Sequence, residues 1–132
     1  MRDFRQLDVW HAAHALTLQV YRLTQTFPRE EIYGLTSQIR RSSSSVAANI
    51  AEGCGRDTDR DFLRFLGISG ASATETEYQL LLARDLGYVA TDLYVPADEL
   101  VQKTKRMIVG LSRRIRTDLN ARSDDNPPTA NG

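Results

Sequence analysis

FPREEIYGLTSQIRRSSSSVAANIAEGCGR, residues 27–56, is the stretch that decides the fold of this chain. Its first residue, Phe27, precedes a proline, which disfavours helical geometry, so a first helix is predicted to end there. Apolar and small residues then recur at alternating steps of four and three, the spacing of a helix that packs along one face. These positions are Leu35, Ile39, Ser42, Val46, Asn49 and Gly53. Gly53 or Gly55 is predicted to take the left-handed conformation that closes this second helix.

The same spacing occurs in three other segments, and no strand pattern competes with it. Helix 1 carries Val9, Ala13, Leu16, Val20, Leu23 and Phe27; helix 3 carries Phe62, Leu66, Ser69, Ala73, Thr76, Leu80, Ala83 and Gly87; helix 4 carries Val101, Thr104, Ile108, Leu111 and Ile115. Thr58 is predicted to cap helix 3, and Pro96 to stand in the first turn of helix 4. Short turns between four helices predict an all-α, antiparallel up-down-up-down four-helix bundle. We predict one domain, residues 1–120, and a disordered C-terminal tail, residues 121–132, because the tail is polar and lacks a stripe.

Composition limits the class of protein. The chain has 132 residues with 17 basic and 17 acidic side chains, so the simplest argument for nucleic-acid binding, a strongly basic domain, is absent. The single cysteine, Cys54, cannot form an internal disulfide, and the amino terminus lacks the pattern of a signal peptide. No window is apolar enough for a membrane span. We therefore expect a cytoplasmic protein without a membrane partner.

Catalytic and metal-binding patterns are weak. His11 and His14 stand three apart on one helix, but no further pair of ligands accompanies them, so we predict no metal site. The serine run 42–45 lacks a nucleophile elbow and a base. Phosphate loops and dinucleotide fingerprints are absent, which predicts no cofactor. The sequence therefore favours a protein that is not an enzyme.

Several positions on the packed faces are small or polar. We predict structural roles for Asn49, Gly53, Ser69 and Ser72, because small residues let two helix backbones approach closely. For Asn49 two interpretations stay open. It is either a buried polar residue that fixes helix register or an asparagine that faces a ligand.

A second apolar surface lies away from the packed faces of helices 1 and 3. Its members are Leu7, Trp10, His14, Leu18, Tyr21, Leu63, Tyr78, Leu81 and Leu82. A contiguous exposed patch of this kind marks an interface, so we predict self-association through it. The alternative is that some of these side chains cover the ends of the bundle or pack under loops.

Helix 4 has a one-sided charge distribution. Its basic face consists of Lys103, Lys105, Arg106, Arg113, Arg114 and Arg116, and Asp118 is the only acidic residue between Leu100 and Leu119. Positive charges on one helix face repel one another, which favours binding of a polyanion or an acidic partner over simple solvation. A second cluster contains Arg40, Arg41, Arg56, Arg60 and Arg64. Acidic residues intersperse with it, so we predict salt bridges there.

Five motifs carry a resemblance to a known family. They are FRQLDVW at 4–10, FPREEIYGLTSQIRRS at 27–42, VAANIAEGCGR at 46–56, DFLRFL at 61–66 and LLLARDLGY at 80–88. The chain resembles the four-helix-bundle family encoded in intervening sequences of bacterial 23S ribosomal RNA genes, a ribosomal-protein-like group. That family is similar to the accessory protein of diversity-generating retroelements, a pentameric barrel that binds a reverse transcriptase and nucleic acid.

The resemblance implies a homopentameric ring. Two functions stay open: binding of RNA or DNA through phosphate contacts from the basic face, and a scaffold that docks a protein partner, for example a reverse-transcriptase-like protein. Two departures bear on this choice. The family's usual glycine-serine step in helix 3 reads Ala71-Ser72 here, and the zero net charge contrasts with the basic surface of the retroelement protein.

Overall fold

The chain folds into four α-helices and two short 3-10 helices, as described by a computed structural model of residues 2–125 with side chains for residues 2–123. The 3-10 helices are Phe4–Gln6 and Arg29–Glu31; the α-helices are α1 (Asp8–Thr24), α2 (Leu35–Cys54), α3 (Asp59–Asp85) and α4 (Thr91–Asp125). No strand occurs between residues 2 and 125. The all-α prediction with four helices is confirmed.

The turn between α2 and α3 shows one correct and one wrong prediction. Thr58 caps α3 as expected, because its hydroxyl accepts a hydrogen bond from the Asp61 amide at 3.1 Å. The left-handed glycine predicted at the end of α2 is absent. Gly53 is part of the helix, and Gly55 has a φ of −83°. Within residues 2–125 the positive-φ glycine is Gly87, which follows α3 and has a φ of 78°.

Helix α4 is longer at both ends than the sequence pattern indicates. It begins at Thr91, so Pro96 lies inside the helix and not in its first turn. At its other end α4 continues past the predicted boundary at residue 120 to Asp125. An ion pair between Arg122 and Asp59 of α3 holds these last turns, which explains why they are helical without an apolar stripe. The rest of the predicted tail, residues 126–132, lies outside the described residues.

Each α-helix packs against two others and contributes to a shared core. Helix α2 has its largest contact with α3, α3 also contacts α4, and α1 contacts α2 and α4. Fully buried side chains form two clusters between the helices. Leu16, Ile39, Leu80 and Val101 belong to one cluster, and Val46 and Leu66 belong to the other. Apolar burial of this kind is the main stabilising term of such a fold. None of the helices within residues 2–125 combines the length and the apolar character needed to cross a bilayer.

Candidate functional site

The contact between α2 and α3 is built from small and polar residues that pair with one another. The Ser42 hydroxyl donates to Gln79 Oε1 at 2.6 Å and lies 2.8 Å from the Thr76 hydroxyl. Ser69, predicted to be structural, is fully buried and donates to the Val46 carbonyl oxygen at 2.8 Å. Because a buried polar group without a partner is costly, these bonds fix how α3 lies on α2.

A second group of polar residues continues this contact. The hydroxyls of Ser45 and Ser72 are 2.9 Å apart across the two helices. Asn49 Nδ2 donates to the Ser45 carbonyl oxygen at 2.8 Å and to the Ser45 hydroxyl at 2.9 Å. Asn49 therefore bonds within α2 and reaches α3 only through Ser45. Its amide nitrogen is engaged by these contacts, and the side chain is half-buried.

Gly53 marks a close approach of the two helices. A Cβ added at Gly53 would lie 2.9 Å from Cβ of Phe65, closer than packed atoms allow. Neither Cβ can move unless a helix backbone moves. A glycine is required here by packing, in place of the left-handed geometry that the sequence suggested.

The basic face of α4 contrasts with this contact. Its members Lys103, Arg106, Arg113, Arg114 and Arg116 are exposed, and none forms an ion pair with a carboxylate in the described part of the chain. At about 1.5 Å of rise per residue, the span from Lys103 to Arg116 is about 20 Å. The face is a row of unpaired cations that solvent reaches.

Lys105 differs from the other members of the basic face. Its ammonium group lies 2.9 Å from Glu77 Oε1 of α3, and Gln102 also donates to the Glu77 carboxylate. These hydrogen bonds, the one from Lys105 first, lower the pKa of the Glu77 carboxyl group. Lys105 therefore joins α4 to α3, and its charge is balanced inside the protomer.

Arg114 borders a groove between the start of α1 and α4. The groove has a volume of about 500 Å³, and its walls include Leu7, Asp8 and Met107. Gly110 also lines it, and the structure leaves open space around that residue. One predicted interface residue, Leu7, thus lies beside one predicted phosphate-binding residue.

The residues predicted to mediate self-association fall into two groups. His14, Leu18, Tyr21 and Tyr78 are exposed, and Tyr78 keeps 61% of its surface accessible. The others are half-buried, and Leu7, Trp10, Leu63 and Leu82 pack against the core of the same protomer. Trp10 also stacks on His14 with ring centroids 4.9 Å apart. Side chains that pack against their own protomer fit the alternative interpretation, in which part of the set covers the bundle. Leu81 is half-buried.

Two of the five clustered arginines, Arg56 and Arg64, form the predicted salt bridges near the α2–α3 turn, whereas Arg41 and Arg60 form none in the described residues. Arg56 and Arg64 both bind Asp61, at 2.5 Å and 3.0 Å, and these bonds lower the pKa of the Asp61 carboxyl group. Asp59, one of the acidic residues interspersed with this cluster, binds two arginines outside it, Arg122 of α4 and Arg2. Hydrogen bonds from these two guanidinium groups lower the pKa of Asp59 as well.

Arg40 belongs to the same sequence cluster but behaves differently. Its Nε donates to the Thr24 hydroxyl at 2.7 Å, and no carboxylate in residues 2–123 forms an ion pair with it. Sequence patterns do not predict this contact, because it joins residues 16 positions apart across a connection.

Groups with catalytic or metal-binding chemistry are sparse. No group of three or more histidine, cysteine or carboxylate side chains within the described residues could hold a metal ion. The thiol of Cys54 is buried, and burial raises its pKa, which disfavours the nucleophilic thiolate.

Known proteins resemble this chain in sequence and in fold. The family model described as 23S rRNA-intervening sequence protein matches residues 5–110. The chain belongs to this family. The resemblance predicted from the five motifs is therefore confirmed. The matched region ends inside α4, so Arg113, Arg114 and Arg116 lie beyond it. No curated protein sequence matches the chain.

Solved structures with a similar fold include a protein of unknown function from the S23 ribosomal protein family of Bacteroides thetaiotaomicron, with a TM-score of 0.74 and 24% sequence identity. The alignment covers 80% of this chain and 95% of that chain. The likeness supports the fold.

Proposed function

We propose that this chain is a non-enzymatic interaction module that binds the phosphate backbone of RNA or DNA through the exposed cations on the basic face of α4. These are Lys103, Arg106, Arg113, Arg114 and Arg116, without the paired Lys105. The observation that carries the proposal is the row of exposed cations, chiefly Arg113 and Arg114, without carboxylate partners in the described residues. Exposed guanidinium groups bind phosphates and release condensed counterions, which drives association.

The chemistry of this face favours contact with the backbone over reading of bases. Contacts from arginine and lysine to phosphates position a protein on nucleic acid but carry no sequence information. The members of the face follow one straight helix over about 20 Å, a length that spans about six base pairs at about 3.4 Å per step along one strand.

Self-association belongs to the same proposal. We infer an antiparallel up-down-up-down arrangement within the protomer, and assembly of protomers into a ring, taken as a homopentamer. Support for the arrangement comes from hydrogen bonds that join early residues of α2 to late residues of α3, such as Ser42 to Gln79. The exposed side chains of Leu18, Tyr21 and Tyr78 support an interface. In a ring, the basic faces of several protomers would be repeated and their electrostatic fields would add, although each chain has zero formal net charge.

The second candidate is a scaffold that docks a protein partner without touching nucleic acid. It is favoured by the connection between α1 and α2, where Tyr33 is 94% exposed beside the exposed Ile32. Large exposed apolar side chains mark protein interfaces. In this alternative, the basic face pairs with an acidic patch of the partner. A location in the cytoplasm stays a prediction for both candidates.

Purification without nuclease tests the first candidate. We expect the protein to carry nucleic acid, seen as excess absorbance at 260 nm that ribonuclease or deoxyribonuclease removes. Protein free of nucleic acid at low salt, with a protein partner retained in its place, would favour the scaffold. Light scattering after gel filtration checks the ring, for which a mass near five chains is expected. A monomer at micromolar concentration would contradict the interface.

A further inference from the structure

A small pocket lies where the end of α1, the following connection and the start of α2 meet. It has a volume of about 230 Å³, and its polar lining includes Arg29, Arg40, Thr24 and Thr36. No carboxylate side chain lines it. The pocket is on a different part of the molecule from the basic face of α4, so what it binds does not depend on the function proposed above.

Arg40 is held in a fixed orientation at this pocket. Its Nε donates to the Thr24 hydroxyl, and its guanidinium carbon lies 4.7 Å from the centroid of the Tyr21 ring. One terminal nitrogen also donates to the Tyr21 carbonyl oxygen at 3.5 Å. A guanidinium group has five N–H donors, so the remaining terminal donors of Arg40 are available to a ligand. Little side-chain freedom is lost when they bind one.

Thr36 is a second residue of the pocket that can bind a ligand. Only 6% of this residue is exposed, and its hydroxyl has no hydrogen-bond partner within residues 2–123. The hydroxyl is not sealed from solvent either, because no fully buried side-chain polar atom in the described residues lacks a partner. The small exposed part of Thr36 therefore includes its hydroxyl, which faces the pocket that the residue lines. A hydroxyl that reaches the pocket and is not engaged by an acceptor in the described residues can donate to a ligand there.

We propose that this pocket binds a phosphate-sized oxyanion, in particular a phosphomonoester group. Arg40 donates charge-assisted hydrogen bonds to the anion, the Thr36 hydroxyl donates a further one, and Arg29 adds positive charge at the rim. Thr36 stands in the first turn of α2, where the helix dipole also favours a negative charge.

Glu31 sets the strength of binding. Its carboxylate accepts a hydrogen bond from the Leu35 amide at 3.0 Å and so neutralises part of the positive helix end. Replacing Glu31 by glutamine keeps an acceptor for this amide but removes the negative charge. The Glu31→Gln variant should therefore bind the oxyanion more tightly than the natural chain, by about threefold.

Titration of the full chain with inorganic phosphate, and separately with a nucleoside 5′-monophosphate, tests the proposal by backbone NMR. We expect saturable shifts confined to residues 24–40. Thr36→Val keeps the shape of the side chain and should weaken binding severalfold, because it removes the unpaired hydroxyl. Arg40→Gln should weaken binding about tenfold or more. Arg41→Gln removes a neighbouring exposed arginine that does not line the pocket and should leave binding unchanged.

Arg40 also contacts Thr24 and Tyr21, so its variant could lose structure. Arg29→Gln replaces an exposed side chain and gives an independent measure, with an expected loss of about threefold. Tighter binding of the monophosphate than of inorganic phosphate identifies an esterified ligand, whereas equal binding identifies the free ion. Shifts that do not saturate, shifts that map to α4, or equal binding by the Thr36→Val and Arg29→Gln variants would overturn the assignment.

Discussion

The contact between α2 and α3 and the basic face of α4 use polar residues in opposite ways. In the α2–α3 contact, hydroxyl and amide groups pair with one another across the helices, as Ser42 does with Gln79. On the basic face, cations such as Arg113 have no carboxylate partner in the described residues. Paired polar groups specify packing, whereas unpaired exposed charges contribute little to it. The first region therefore explains the fold, and the second is available for function.

The strongest test of this difference is a larger side chain at Gly53. Gly53→Ala places a Cβ 2.9 Å from Cβ of Phe65, closer than packed atoms allow, so α2 and α3 must separate. We expect a loss of stability towards the upper end of about 1–3 kcal/mol. Urea unfolding followed by circular dichroism measures it.

Gly67 is the matched control for that substitution. It lies on α3, and a Cβ there would meet nothing within 4 Å. Gly67→Ala should raise stability by about 0.5–1 kcal/mol, because alanine loses less backbone entropy in a helix. Equal effects at Gly53 and Gly67 would contradict the close approach.

The second prediction concerns the hydrogen bonds of the α2–α3 contact. Ser42→Ala leaves Gln79 Oε1 without its 2.6 Å donor in a buried site, so we expect a loss of about 1–2 kcal/mol. Ser44, in the same serine run, donates only to the Arg41 carbonyl oxygen of its own helix. Ser44→Ala should therefore change the unfolding free energy by less than about 0.5 kcal/mol. A loss at Ser44 as large as at Ser42 would refute the distinction.

The third prediction concerns the pH dependence of the stability that the ion pair between Glu77 of α3 and Lys105 of α4 contributes. Hydrogen bonds from Lys105 and Gln102 lower the pKa of Glu77 in the folded chain relative to the unfolded chain. Its stabilising contribution is therefore complete above the unfolded pKa of about 4.3 and is lost as pH falls through the lower folded pKa. Glu77→Gln should cost at most about 1 kcal/mol near pH 7 and reduce the loss of stability between neutral and acid pH. An unchanged pH profile would show that the pair contributes nothing.

The smallest effect on stability is expected at the basic face. Replacing Arg113 and Arg114 together by alanine should shift the unfolding free energy by no more than about 0.5 kcal/mol, because both side chains are exposed and unpaired. Thermal unfolding at low salt provides the measurement. A loss comparable to that of Ser42→Ala would mean that the face serves the fold.

Much of the fold could be predicted from the sequence, because helix packing repeats with a fixed spacing. The stripe from Leu16 to Val20 in α1 and the cap at Thr58 follow from local rules and agree with the structure. Predictions at helix ends were less accurate. Gly53 lies inside α2, and it has to be a glycine because Phe65 of the next helix lies too close for a Cβ. Local sequence does not reveal that contact.

The sites show the same division between local and distant effects. The one-sided charge of α4 is visible from helical spacing alone, but the pairing of Lys105 with Glu77 depends on how α3 and α4 pack. The Arg40 pocket was not predicted, because Thr24 and Thr36 approach it from opposite sides of a connection. The role of Trp10 in an interface stays a prediction, and its contact with Phe4 in the same protomer cannot be predicted from helical spacing.

The salt dependence of RNA binding tests the central claim most directly. Fluorescence anisotropy with a single-stranded RNA of mixed sequence, repeated over a range of salt concentrations, gives the slope of log K against log salt. We expect binding at low salt, and a slope that becomes shallower by about 1.4 when Arg113 and Arg114 are both replaced by alanine, at about 0.7 per phosphate contact. Lys105→Gln, whose cation pairs with Glu77, should leave the slope unchanged. No binding at low salt, or equal slopes for the natural chain and the double variant, would contradict the claim that the basic face of α4 binds phosphates.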